Sequence, residues 1–156
     1  MEAKALRLLD RLRRSCSRRE YCTSDVRKKA LAGMEGDVHA AEEIVASLLE
    51  DRYVDDLRYA TAYAREKSAV NGWGEVKIRH MLSAKGISRD MVNEALGGID
   101  PAAAGSKLEK VLAVKMKSLG DDPQWKMKIL RFALGRGYSY DDVRDALASL
   151  TAPGRE

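Results

Sequence analysis

The chain has 156 residues, about the length of one domain. It is 45% hydrophobic and 33% charged but only 6% aromatic, which excludes a disordered chain and leaves Ala, Leu, Val and Met, the palette of helix packing, to fill the core. The net charge of +4 is too small to announce a polyanion-binding protein by itself, and no apolar run approaches the roughly 18 residues that cross a bilayer, so no membrane partner is expected.

The first third predicts three helices: ALRLLDRLRRS, SDVRKKALA and HAAEEIVASLLED. The opening segment lacks the apolar centre and small-residue cleavage site of a secretory signal, and a cytoplasmic protein is expected. Cys16 and Cys22 are then expected as free thiols; together with His39 and His80 they match no familiar zinc spacing, so neither a metal nor any other cofactor is expected.

DLRYATAYAREKSAV follows, with Leu57, Ala60 and Ala64 on one side. Next, NGWGEVKIRHML sets Trp73 between two glycines at the mouth of a basic helix whose Ile78, Met81 and Leu82 fall at the spacing of one helical face. Gly86 stands where a helix end needs positive φ, and Ser88 opens the next helix as its cap with Asp90 in the first turn. Gly97-Gly98 is the clearest internal boundary. Beyond it Asp100-Pro101 starts a helix carrying Leu108, Val111, Leu112 and Leu119, and Asp122-Pro123 gives the same start signal for the next.

Two stretches then match without a gap. KGISRDMVNEAL and RGYSYDDVRDAL share six of twelve residues at an offset of 51, which pairs Gly86 with Gly137, Ser88 with Ser139 and Asp90 with Asp141. Ile78, Met81 and Leu82 correspond to Ile129, Phe132 and Ala133 at the same offset. The expected fold is all-α, an elongated tandem array of three three-helix repeats over residues 1–54, 55–98 and 99–156, the first joined to the others by element order alone. Units of this size bury little surface separately, so neighbours must stack in one continuous array.

Charge alternates in step with the repeat. Successive blocks 1–29, 30–57, 58–89, 90–109, 110–136 and 137–156 carry net charges of +6, −7, +5, −3, +5 and −2. If the units stack alike, their second helices form a cationic row: Arg27, Lys28 and Lys29, then Lys77, Arg79 and Lys85, then Lys126, Lys128, Arg131 and Arg136. Such a row suits a polyanion; alternatively, basic and acidic helices pair and merely hold the stack together. A protein neutralising ~6 phosphates loses about a thousandfold in affinity between low and moderate salt. A composite partner of nucleic acid plus bound protein is therefore favoured over naked DNA.

In YVDDLRYA, Asp55 and Asp56 read as helix-start residues, with Arg58 and Tyr59 on the helix itself; no His, Cys or Ser stands nearby to complete a catalytic set. Trp73 and Trp125 recur at nearly the same place and read as packing anchors rather than base-stacking platforms. GWG lacks the lysine–hydroxyl pair and glycine spacing of phosphate loops. No credible nucleophile–base pair exists, and an enzyme is not expected.

DDLRYA, GEVKIRHMLSAKGIS and the threefold helical plan together resemble the bacterial RecX regulatory family, from about Leu6 to Leu150 and most strongly from Tyr53 to Leu96. The resemblance implies a non-enzymatic modulator that binds the RecA recombinase filament, reaches single-stranded DNA through it, and restrains recombinase, ATPase and co-protease activity in DNA repair, recombination and the SOS response. A monomer is expected. The family's motif positions present here include Asp55, Asp56, Arg58, Tyr59 and Gly86, most of them structural in character; Arg52 stands where many members carry glycine. The rival expectation is a free-standing helical protein acting on duplex DNA, and a third is a scaffold that binds none of these.

Overall fold

The computed structural model describes residues 1–152. Those residues form helices and connecting turns, with no strand among them: α1 (Ala3–Arg18), α2 (Thr23–Gly33), α3 (Val38–Glu50), α4 (Asp56–Ala69), α5 (Glu75–Ala84), α6 (Arg89–Gly97), α7 (Pro101–Leu119), α8 (Trp125–Gly135) and α9 (Tyr140–Thr151). The all-α tandem of three-helix repeats expected from the sequence is the fold found. No described helix is long and apolar enough to cross a membrane.

Packing gathers the chain into two compact units, residues 1–62 with 82–94, and residues 63–81 with 95–156. This division differs from that of the sequence repeats, because α4, α5 and α6 each contribute one end to either unit.

In the first unit, α1 turns Ala5, Leu8, Leu9, Leu12 and Cys16 inward, the three-and-four spacing of one helical face. They close over Val26 and Ala30 of α2 and over Ile44, Val45 and Leu48 of α3. Both cysteines are buried free thiols, and burial pushes both thiols upward in pKa, so they are protonated at neutral pH.

The second unit packs Leu108 and Leu112 of α7 against Ile129 and Ala133 of α8 and against Val143 and Ala146 of α9. Ile78 and Leu82 are fully buried, as are their repeat counterparts Ile129 and Ala133. Met81 is exposed, so the i+3 member of the shared pattern belongs to the rim of that face.

Most local signals act as read. Gly86 and Gly137 adopt φ of +79° and +93°. The Ser88 and Ser139 hydroxyls accept from the amides of Met91 and Asp142 at 3.3 and 3.1 Å, and Asp100 accepts from Ala102 at 3.1 Å. Asp122-Pro123 is a correction. The helix begins later, at Trp125, because Asp122 closes a separate turn: its carboxylate accepts from the Gln124 amide at 2.8 Å and its carbonyl from the Trp125 amide at 3.1 Å.

Arg52 sits at φ +59°, in the left-handed region that disfavours any side chain. The glycine that the resemblance implies at this position would carry no such penalty. Arg52→Gly is expected to raise stability by about 0.5–1 kcal/mol, since relief of left-handed strain exceeds glycine's added freedom in the unfolded chain. Urea unfolding measures it, and a lower midpoint would show that the Arg52 side chain contributes more than its backbone costs.

Candidate docking surfaces and the pins beside them

The DDLRYA residues build a latch at the start of α2. Asp55 caps its own helix, accepting from the Arg58 amide at 3.0 Å. Asp56 does not; its Oδ1 accepts from the Thr23 amide at 2.7 Å and the Thr23 hydroxyl at 3.0 Å, 33 residues away. Arg58 donates through Nε to both Glu20 oxygens at 2.8 Å, and through Nη2 to the carbonyls of Arg52 and Tyr53. Tyr59 is buried. These residues tie the 20–23 segment to the start of α4 and present no open chemistry.

Of the cations expected to form the polyanion face, several are engaged inside the chain. Arg27 Nε donates to Glu42 of α3 at 2.6 Å, a pairing of a basic second helix with an acidic third helix. Lys128 pairs with Asp122. Lys85 Nζ reaches Asp25 at 2.7 Å while its own carbonyl accepts from the Ser24 hydroxyl at 2.7 Å. Arg136 donates to the carbonyls of Gly72, at 3.0 Å, and Asn71. Lys85 and Arg136 are equivalent at the 51-residue offset, each just before the positive-φ glycine of its repeat. Both act as pins that reach from the end of one second helix to the start of the preceding one.

The Asp25–Lys85 contact has a defined pH signature. Burial acts to raise the Asp25 carboxyl, but hydrogen bonds from Lys85 and Cys22 and the Lys85 charge prevail and hold it below its ordinary 3.8. A hydrogen bond to Asp25, against some desolvation, holds Lys85 above its ordinary 10.5. Asp25 therefore contributes stability above its unfolded pKa that is lost as pH falls through the depressed folded value. Lys85 contributes stability below 10.5 that is lost as pH rises through its raised value. With Lys85 41% exposed, Lys85→Gln is expected to cost only about 1 kcal/mol at pH 7. In unfolding midpoints measured against pH, that difference should shrink towards zero in strong acid; a constant difference would assign it to packing.

The remaining expected cations stand differently. Lys28 and Lys126 are exposed, the latter 5.5 Å from the Trp125 ring. Arg79 is exposed. Lys77 lies 4.2 Å over the Trp73 ring, with Lys67 at 5.0 Å and Tyr63 edge-on at 6.3 Å. Both tryptophans are half-buried, as packing anchors should be.

A stronger cationic surface lies on α1, where the sequence reading took no site residues. Lys4, Arg7, Arg11 and Arg14 line one groove of 390 Å³ beside Gly33, with Asp10 its only acidic residue. Lys4 pairs with Glu35 at 2.9 Å and Asp10 lies 3.8 Å from Arg13. Arg7, Arg11 and Arg14 make no ion pair or hydrogen bond through their side chains to any described residue. The 7, 11, 14 spacing was the available signal: opposite the buried 5, 8, 9, 12, 16 face it puts three guanidinium groups on one side of one helix.

A tandem of three-helix repeats, with a second helix in each unit pinned to the start of the preceding one and a cationic groove on α1, defines an all-helical repeat protein. A family model described as the second three-helix domain of RecX matches residues 55–96, and one described as its third three-helix domain matches residues 106–147. The regulatory protein RecX of Escherichia coli is 30% identical over 148 residues, covering 89% of this chain and 89% of its own length. That of Chromohalobacter salexigens is 32% identical over 138 residues, covering 86% and 87%. The crystal structure of RecX from Lactobacillus salivarius superposes with a TM-score of 0.80 over 94% of this chain and 96% of its own; at 21% identity it speaks to the fold. The chain belongs to the RecX family of regulatory proteins.

Proposed function

We propose that this protein is a non-enzymatic, cytoplasmic regulator that binds the RecA filament on single-stranded DNA as a monomer and restrains its recombinase, ATPase and co-protease activities. The observation that carries the nucleic-acid half of this reading is the α1 groove, where Arg7, Arg11 and Arg14 offer three guanidinium groups with no partner in the described chain. Guanidinium groups match phosphate oxygens in fork geometry and stay charged at any physiological pH. Family membership supports the regulatory half.

Within the cationic set read from the second helices, Lys28, Lys77 and Lys126 are the members best placed to add phosphate contacts. Arg27, Lys85, Lys128 and Arg136 have intramolecular work already. The experiment is a comparison of binding to single-stranded DNA, duplex DNA and RecA-coated single strands at physiological salt. A clear preference for the coated strand is expected. A preference for bare duplex would replace this reading by that of a free-standing DNA-binding module, and binding to none of the three would leave only a scaffold.

A further inference from the structure

A groove of 280 Å³ lies between α8 and α9 in the second unit. Tyr140, Arg144 and Ala148 fall on one row of α9, with Leu147 and Thr151 on the next, so the groove follows that helix from its first residue to its last. Trp125 and Leu130 of α8 form the opposite wall. The base of the groove is fixed: Val143 is fully buried, and Trp125, Leu130 and Leu147 are half-buried against the core of this unit. Tyr140 takes no part in that core and stands 58% exposed.

The three-helix plan does not require this surface. At the 51-residue offset Leu130, Tyr140 and Arg144 correspond to Arg79, Arg89 and Asn93, all exposed, yet Val92 of the middle repeat is buried just as its counterpart Val143 is. The shared leucine is buried as Leu96 in the middle repeat and only half-buried as Leu147 in the last. The last repeat thus carries an apolar strip that its own core leaves uncovered. Exposed strips of this kind rimmed by charge mark contact surfaces. Trp125, Tyr140 and Arg144 stand together on it, and these are the residue types most enriched where binding energy concentrates.

The rim sets the charge of the occupant. Lys126 and Arg144 are the charged residues that line the groove, and no carboxylate lines it. Lys126 lies 5.5 Å from the Trp125 ring and makes no ion pair with any described residue. Arg144 is 61% exposed, with loose contacts at 3.6 Å to Asp141 and Asp145, neither of which lines the groove. A nucleic acid is poorly matched, because two cations over an apolar floor give no track for successive phosphates and the core already covers part of the Trp125 ring. An acidic segment with its apolar side chains on one side meets both the floor and the rim. We infer that this groove docks a short acidic amphipathic segment of a partner protein, its apolar side chains lying on Leu130 and Leu147 beside Tyr140, and its carboxylates at Lys126 and Arg144.

This inference does not depend on the recombinase reading, and its test uses no recombinase. The probe is a fluorescein-labelled octapeptide with a central Phe-Leu pair between glutamates, titrated with the full chain at about 0.15 M salt and read by anisotropy. One counterpart replaces the glutamates by glutamine, the other the Phe-Leu pair by alanine. The acidic apolar peptide is expected to bind saturably, about tenfold tighter than either counterpart. Tyr140→Ala and Arg144→Glu should each weaken it about tenfold. Both side chains are exposed, so the circular dichroism of each variant should match the parent's. Lys126 is left in place because it also belongs to the proposed phosphate contacts. No saturable binding, equal binding of the glutamine peptide, or parent affinity in both variants would each overturn the inference. So would a homodimer in sedimentation equilibrium that Tyr140→Ala dissociates, which would make a second copy the occupant. Binding of a bare single-stranded oligonucleotide that Tyr140→Ala abolishes, without binding of the peptide, would give the groove to nucleic acid instead.

Discussion

Gly137→Ala is expected to destabilise the protein by about 3–5 kcal/mol, combining the left-handed backbone penalty with overpacking against fixed atoms. At φ +93°, a Cβ on residue 137 would lie 2.5 Å from the Lys77 amide nitrogen and 2.4 Å from the Lys77 Cβ. Neither is the far end of a flexible side chain, so relief requires separating two backbones. The same contact seen from Gly74 is as tight, with a new Cβ 2.3 Å from the Gly137 carbonyl and the Tyr138 amide nitrogen. That closeness lets the Gly74 and Val76 amides donate to the carbonyls of Arg136 and Gly137 at 2.8 and 3.1 Å. The start of α5 thereby satisfies its orphan donors with the orphan acceptors at the end of α8. Thermal unfolding should show a midpoint lower by roughly 10 °C. Gly86→Ala is the internal control: at the equivalent repeat position a Cβ meets nothing within 4 Å, so only the backbone penalty of about 1–2 kcal/mol remains. Equal losses at the two glycines would show that conformation alone, without the backbone contact, sets the cost. Gly74→Ala with Gly137→Ala should cost less than the sum of the two, because both break one contact.

The contrast between Gly86 and Gly137 also marks how far the sequence is legible. The 51-residue offset identifies both as helix-ending glycines, and both have positive φ. It carries no information on what lies opposite them, since Gly74 is 63 residues from Gly137 in sequence and becomes its neighbour only through packing. Lys85 and Arg136 fall to the same limit. Read along the chain they belong to a basic row; in space one holds Asp25 and the other holds two carbonyls. A cation near a helix C-terminus already complements the dipole there, so its presence in the sequence does not distinguish a pin from a binding group. Asp56 shows the same thing for acids. Its position predicts a cap, but Asp55 fills that role and frees Asp56 to hold Thr23. Element order, glycine conformation and the buried stripes are set by neighbours in sequence and were readable; the partners of Asp56, Arg58, Lys85 and Arg136 lie 33 to 65 positions away and were not.

Charge reversal of the α1 face, Arg7→Glu with Arg11→Glu and Arg14→Glu, is expected to carry the largest functional effect. Each phosphate neutralised on a single strand contributes about 0.7 to the slope of log affinity against log salt. Three lost contacts therefore reduce the slope by about 2, and at 0.15 M salt they weaken binding to RecA-coated single strands roughly fifty-fold before any repulsion from the new carboxylates. Inhibition of RecA ATPase should fall in parallel at fixed protein concentration. The fold should survive, because none of the three guanidinium groups is engaged in the described chain and the buried Leu8, Leu9 and Leu12 lie on the other face. Arg136→Gln gives the opposite signature. It removes hydrogen bonds to Gly72 and Asn71, so it should lower the melting temperature while leaving the salt slope within about 0.3 of the parent's. The slope separates the two roles where affinity alone does not, since a destabilised protein also binds less. If the α1 triple variant keeps the parent slope, the phosphates are met elsewhere, and Lys28, Lys77 and Lys126 become the residues to reverse next.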